Sequence, residues 1–498
     1  MSLVSTMIDG VTNCANAVSN KMINVKTSVK NFANTVKTSC DNFFADFKIN
    51  ALLHKCGAKS VYGYSPITIF KTFFNTHLKC TNFYFETKFS KYCEVSKDAG
   101  YEFVKQPNIN WRQFQYEVAS EAVDHLDAIN DNKNRDSVFI LDDTPLKKNS
   151  SKKIELTAKK FDHSTHTYYK GYSSLSLAYT DQISTICVAQ APLASPNEEN
   201  IYVPARNDFN SRSLAAKRRA EAVQHMPDVA YNLVAGAMDA GITATAAVFD
   251  SWFCTAPFVI RLAKLLPCIG IVKKGNAYSY VFNKKSMIIH DVYRSLKNKR
   301  RGKAKIICSC IITLQDTDGN SIPAKIVFVR DRNTHDWIPI LSTDITLSDE
   351  RIVKLYSLRW NIEVMFRDFK QFLNFEHGCQ STNYDSLVAY LSILQTVHTY
   401  IVLQKRASID TRSFGELFRC CIEEIKQRSF EDAFMIVIST FYERIDQACA
   451  DNKKLSKEEI INVFIESYNL SIGDVMQQLF RTQGKPEPRK LAVAAQEI

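Results

Sequence analysis

Four polar residues in one short stretch, Tyr356, Arg359, Glu363 and Lys370, are spaced for joint chemistry. They lie in LSDERIVKLYSLRWNIEVMFRDFKQFL, where a Ser348 cap and apolar periodicity predict one long helix to about Leu373. At about 100° per residue the four project at roughly 0°, 300°, 340° and 320°, an arc of about 60°. Leu355, Leu358, Ile362, Met365 and Phe369 gather at about 180–260°, the face that packs on a core. An acid flanked by two cations and a phenol, beside a buried face, suits a carboxylate held next to a polyanion. Glu363 can ligate a hard cation while Arg359 and Lys370 meet phosphate. The alternative reading is an internal ion pair, because Arg359 and Glu363 are i,i+4 neighbours.

Two further acids stand where strands should end. Asp142 follows the apolar run SVFIL (137–141), and Asp250 follows TATAAVF (243–249). A single Asp at such a place is usually a turn residue or a cap. Three carboxylates from separate elements form an oxygen cage suited to two Mg²⁺ or Mn²⁺ ions about 3.5–4 Å apart. Such a pair activates a water or 3′-hydroxyl against a phosphodiester without a covalent protein nucleophile. Paired carboxylates also serve glycosidases, but that chemistry leaves the cationic helix face and the basic loop unexplained. Asp142 and Asp143 are adjacent, and successive strand residues face opposite sides, so only one of them points into the site.

The elements that position these residues can be read along the chain. From about residue 136, strands at 137–141, 172–179 and 183–190 precede a helix-rich segment from Lys217 to about Ala240 and the strand at 243–249. This β-β-β-α-β order is a mixed α/β domain. Residues 267–345 are rich in β-branched residues, with Asp316-Thr317-Asp318-Gly319-Asn320 as a hairpin turn. They carry the densest basic run, 297–305, which includes Lys299, Arg300 and Arg301. The organisation expected is therefore a helical region at 1–130 for DNA binding or dimerisation and a core at 131–266. A β-rich insertion at 267–345, the rest of the core at 346–400 and a helical region at 401–498 complete it. In the first region VKTS recurs at Val25 and Val36 on an apolar helix face, and Ser65-Pro66 and Ser96 are helix starts. The latter two helices are either a helix-turn-helix reader bearing Lys97, Tyr101 and Lys105 or an ordinary packing unit. Trp111 belongs to the core.

Composition narrows the function classes. The chain has 498 residues, enough for about three domains, with 45% hydrophobic and 23% charged side chains. That excludes fibrous and wholly disordered proteins. Its net charge of +11 favours a polyanionic partner, although solubility alone would explain a spread charge. The 14 cysteines include no CxxC pair, which suits reduced thiols; His77/Cys80 and His377/Cys379 each supply only two of the four ligands zinc needs. No signal-peptide core and no uncharged apolar run approaching ~20 residues is seen, so a cytosolic protein without a membrane span is expected.

The run Tyr356-x2-Arg359-x3-Glu363-x6-Lys370 resembles the Y-R-E-K signature of the insertion sequence four superfamily of prokaryotic DDE transposases. Asp142 in FILDDTP is similar to that family's first catalytic Asp in its D-x-T form, which favours Asp142 over Asp143. Asp250 in VFDSWF resembles the second and Glu363 the third. FDHSTHTYYKGYSSLSLAYTD and KRRAEA also resemble family segments, and the likeness covers roughly residues 95–400. It implies an RNase H-like catalytic core interrupted by a β-rich insertion, with helical N- and C-terminal regions. It also implies that Tyr356, Arg359 and Lys370 hold transposon-end DNA and that Trp337 is a possible stacking residue for an unpaired base. The expected activity is cut-and-paste DNA transposition: metal-dependent cleavage at terminal inverted repeats and strand transfer to target DNA, by a homodimer in a synaptic complex near the nucleoid. A cleavage-inactive, transposase-derived DNA-binding protein and an RNase H-like nuclease without strand transfer are the alternatives. Lys299, Arg300 and Arg301 would grip DNA, with binding that weakens steeply as salt rises.

Overall fold

A computed structural model describes residues 40–78, 82–89, 93–129, 135–162, 165–297, 299, 304–331 and 336–407. The regions expected to be helical at 1–39 and 408–498 lie outside the described residues, as do His163, Arg300 and Arg301. Two compact units divide at Leu52. In the first, Phe43 packs on Phe44 and Phe47 with ring centroids 5.9 and 4.3 Å apart. The short helix α1 (Ile49–Lys55) crosses the boundary.

The second unit opens with helices that start where hydroxyl or amide caps place them. These are α2 (Pro66–Leu78), α3 (Phe83–Phe89), α4 (Lys97–Val104) and α5 (Trp111–Ala128). Ser65 Oγ accepts from Thr68 N, and Ser96 Oγ accepts from Ala99 N at 3.2 Å. Trp111 is fully buried.

A mixed sheet follows, built on β1 (Val138–Lys147), β2 (Ala158–Asp162), β3 (Thr167–Thr180), β4 (Thr185–Leu193), β5 (Ala246–Phe249) and β6 (Cys268–Ile271). Their neighbours run β4-β3-β1-β5-β6, with β2 also on β3; β3 is antiparallel to β1 and β4, whereas β1, β5 and β6 are parallel. Val138–Leu141 and Ala246–Phe249 have no polar side chain and are buried throughout, as parallel strands covered on both faces must be. Between β4 and β5 stand α6 (Leu214–Ala222) and α7 (Met226–Asp239), and α8 (Ala256–Leu262) joins β5 to β6.

β1 is longer than the sequence implied. It continues past Asp142 to Lys147 because β3 pairs with its whole length. Its pairing with β5 ends at Leu141, so Pro145 falls where one edge of β1 is free of β5 and a missing N–H costs no bond there.

The expected β-rich insertion holds β7 (Tyr280–Phe282), β8 (Lys285–Met287), α9 (Ile289–Ser295), β9 (Ile306–Gln315), β10 (Ser321–Arg330) and β11 (Trp337–Ser342). The β9–β10 turn is the one foreseen. Asp316 Oδ1 accepts from the N–H groups of Asp318 and Asn320, and Gly319 takes φ +85°. β11 pairs with β6, so these strands extend the core sheet rather than stand apart.

The expected single helix is two, α10 (Asp349–Ser357) and α11 (Trp360–Phe372). Ser348 caps the first, its Oγ accepting from Arg351 N at 3.2 Å. At the join, Leu358 N and Arg359 N donate to Leu355 O and Tyr356 O, three residues back, so one tightened turn interrupts the ladder. α12 (Tyr384–Ala407) closes the described chain. It is long and apolar enough to cross a membrane, but 94% of that stretch is buried within the protein, as a core helix is. Gln395 Nε2 on α12 donates to Gln115 O of α5 and Val188 O of β4, fastening helices to sheet.

A buried ion network fixes the segment ahead of β5. Arg219 on α6 donates to both oxygens of Glu155, at 2.6 and 3.0 Å, and its Nη2 lies 2.9 Å from Asp385 Oδ2 at the start of α12. Arg218 Nε reaches Asp385 Oδ1 at 2.9 Å. The two arginines come from KRRAEA, so that stretch serves as internal scaffolding for α6.

Candidate active site

Sheet register brings the first two acids together. The parallel pairs run from Val138↔Ala246 to Leu141↔Phe249, and one further step along each strand reaches Asp142 and Asp250. Neighbouring strands lie about 4.8 Å apart, so the two acids are adjacent. Asp250 is held by its own turn, its Oδ1 accepting from Trp252 N at 2.9 Å and Phe253 N at 3.4 Å. Asp143 takes the opposite side of β1, where its charge acts on Lys160 of β2 and the Tyr169 phenol of β3.

Burial raises the Asp142 carboxyl to about 7, and the neighbouring charges of Asp143 and Asp250 add to the rise. Arg359 and the Asp143 N–H oppose it. Arg359 sits at the helix join. Its Nη1 donates to Asp142 Oδ2 at 3.1 Å, and its Nη2 donates to Glu363 Oε1 one turn along α11. Tyr356, the half-buried phenol of α10, feels both Arg359 and Asp250, and burial drives its pKa upward. Asp142, Asp250, Tyr356, Arg359 and Glu363 are therefore one cluster assembled from two strands and two helices.

The ion pair that one reading of the sequence expected is present. Arg359 of this pair also reaches Asp142 on β1.

Lys370 is placed elsewhere. Seven residues beyond Glu363 on the same stripe of α11, it stands roughly 10 Å along the axis. There its charge interacts with Glu376, Lys147 and Asp162; Lys147 itself pairs with Asp162 at 2.9 Å. A helical wheel records angle and not height, which is why all four residues projected together.

The insertion residues are also apart from the acids. Trp337 is 7% exposed, stacked on Tyr293 at 4.6 Å and edge-on to Phe328 at 5.1 Å. It is packed as an interior residue of the insertion. Lys299 Nζ lies 4.5 Å above the Tyr293 ring. One residue beside the acids was not singled out from the sequence, Trp252, whose signal was its place in DSWF.

The donors fit a hard divalent ion in kind, all being carboxylate oxygens with charges concentrated at Asp142 and Asp250. Among the described residues no three His, Cys, Asp or Glu side chains are grouped so as to hold a metal ion. The Arg359 guanidinium stands between Asp142 and Glu363, bonded to both.

Residues 91–279 match the family model described as DDE superfamily endonuclease. The match supports a DDE transposase-type family, in which DNA is the substrate and divalent metals are generally used. It spans Asp142 and Asp250 and ends before Glu363. No curated protein matches the chain.

Proposed function

We propose that the protein is a DNA transposase of cut-and-paste type, and that Asp142, Asp250 and Glu363 are its catalytic acids. The observation that carries this is the linkage of the three: Asp142 beside Asp250 by register, and Asp142 joined to Glu363 through Arg359. The order β4-β3-β1-β5-β6, with only β3 reversed, supports an RNase H-like core. The strands between Asp250 and Glu363 support a β-rich insertion of the kind seen in the insertion sequence four superfamily.

Asp142, Asp250 and Glu363 would hold Mg²⁺ or Mn²⁺, two ions in the working site. The chemistry supplied by such ions is Lewis acidity at phosphoryl oxygens and a lowered pKa for an attacking water or 3′-hydroxyl. Arg359 binds a non-bridging phosphate oxygen once DNA replaces Glu363 as its partner, and this frees the carboxylate. Tyr356 steadies the guanidinium from α10. Lys370, with Lys147 beside it, neutralises a phosphate further along the strand. Asp250 keeps its orientation through the N–H groups of Trp252 and Phe253.

The partners would be duplex DNA at terminal inverted repeats and at the target. Two ends held together call for a homodimer, in the cytoplasm at the nucleoid. The test is incubation with Mg²⁺ or Mn²⁺ and a duplex bearing the inverted repeats that bracket the coding region. Cleavage and joining that Glu363→Gln abolishes, with DNA binding kept, support the reading. Binding without cleavage points to a transposase-derived DNA-binding protein, and cleavage without joining to a plain nuclease.

A further inference from the structure

Between Lys147 and Lys170 the chain carries seven lysines against two carboxylates, Glu155 and Asp162. Both acids are already engaged, Glu155 with Arg219 and Asp162 with Lys147. The excess positive charge is therefore not balanced within the stretch, and part of it reaches the surface where β2 pairs with β3.

There Lys159 stands opposite Lys170, and Phe161 opposite Tyr168. Tyr168 and Tyr202 are 67% and 54% exposed. Lys159 Nζ lies 4.4 Å above the Tyr168 ring, which meets Phe161 edge-on at 5.1 Å. Lys170 Nζ lies 4.8 Å above the Tyr202 ring and donates to Ser151 O at 2.6 Å. Among the described residues neither lysine is ion-paired, whereas Lys55, Lys105 and Lys274 each hold a carboxylate. A ring seats an ammonium without neutralising it, so both charges stay available to an anion outside the protein. Lysines also guard edge strands against pairing, but Ile201 already meets this edge at Ala158.

Register relates the surface to the acids. Ser176 of β3 is the partner of Asp142, and Tyr168 lies eight residues along the same strand. That number is even, so Tyr168 and Lys170 face the side that Asp142 faces. At about 3.3 Å per residue, Ser176 and Tyr168 are roughly 26 Å apart. Lys147, the partner of Gly171, comes between them in register.

Resting on the DNA-cleaving reading above, we propose that this β2–β3 surface grips the backbone of the duplex about eight base pairs from the bond that is cut. Lys159 and Lys170 each meet one phosphate. The distance follows from the duplex, which rises about 3.4 Å per base pair. Such contacts carry no sequence information; they fix where the duplex lies relative to the acids.

The test measures affinity for a duplex bearing the inverted repeat, without divalent metal so that nothing is cut, over a range of NaCl concentrations. The double variant Lys159→Ala, Lys170→Ala should melt as the intact protein does and bind about tenfold more weakly at low salt. Its slope of log K against log[NaCl] should be shallower by about 1.8, the value for two phosphate contacts. Lys159→Arg with Lys170→Arg should keep both affinity and slope, as should Lys285→Ala, which removes an exposed charge from β8. Ethylation of phosphates about eight base pairs from the cut end should block binding by the intact protein and make no difference to the double variant. An unchanged slope in the folded double variant, or no interference at that distance in the intact protein, overturns the proposal and leaves the DNA-cleaving reading standing. An intact protein that does not bind the duplex removes that reading and this proposal with it.

Discussion

Arg359 donates to Asp142 across 217 positions of sequence, at 3.1 Å, while its other terminal nitrogen serves Glu363. One guanidinium thus balances two of the three acids that a divalent ion would need. Arg359→Ala should release both, and Mn²⁺ should bind the DNA-free protein about tenfold more tightly by titration calorimetry. That corresponds to the low end of a charged hydrogen bond, about 1.5–3 kcal/mol. Unchanged or weaker Mn²⁺ binding in the variant would show that Arg359 does not compete for these carboxylates.

The buried network around Arg219 is a matter of stability. Glu155 and Asp385 are 3% and 0% exposed, so Arg219→Met would leave Glu155 without its counter-charge and Asp385 with Arg218 alone. Urea unfolding of this variant should show a loss of about 3–5 kcal/mol. A loss below 1 kcal/mol would mean that Arg218 alone suffices.

Acid should unfold the protein through two histidines. Burial lowers His77 from 6.5 to about 4 and His398 from 6.5 to about 3. Between pH 6.5 and those values the unfolded chain takes up protons that the folded chain refuses. Stability is therefore full above pH 6.5 and falls on acidification, by about 1.4 kcal/mol per pH unit for each histidine. The double variant His77→Phe, His398→Leu should flatten the acid limb of a melting-temperature profile; an unaltered limb would contradict the assignment.

Trp337 should matter for packing. Its ring fills the space between Tyr293, Phe328 and His290. Trp337→Ala should cost about 3–5 kcal/mol in unfolding free energy. Trp337→Phe should recover much of the stability and bind duplex DNA as the intact protein does. Loss of DNA binding in a well-folded Trp337→Phe would support the stacking role that the resemblance implies for this residue.

Local chemistry was the legible part of the fold. A hydroxyl before an apolar run announced the helices at Ser65, Ser96 and Ser348, and the Asp-rich turn at 316–320 announced its hairpin, because each needs only neighbouring atoms. Asp250 does follow its strand, whereas Asp142 lies within one that runs on to Lys147. What escaped notice depended on distant partners. The tightened turn at Leu358–Arg359 contains neither Pro nor Gly, and the extension of β1 is imposed by β3. The burial of Trp337 comes from Tyr293 and Phe328, and the separation of Lys370 from Glu363 is a rise along an axis that periodicity does not measure.

The pairing of β11 with β6 gives the insertion a mechanical role. Three ladders in succession (β11 on β6, β6 on β5, β5 on β1) lead from it to the strands that present the two aspartates. An outlying loop on a flexible hinge would absorb a pull on the insertion; three ladders in series pass it, like a rigid lever, to the strands that present Asp142 and Asp250.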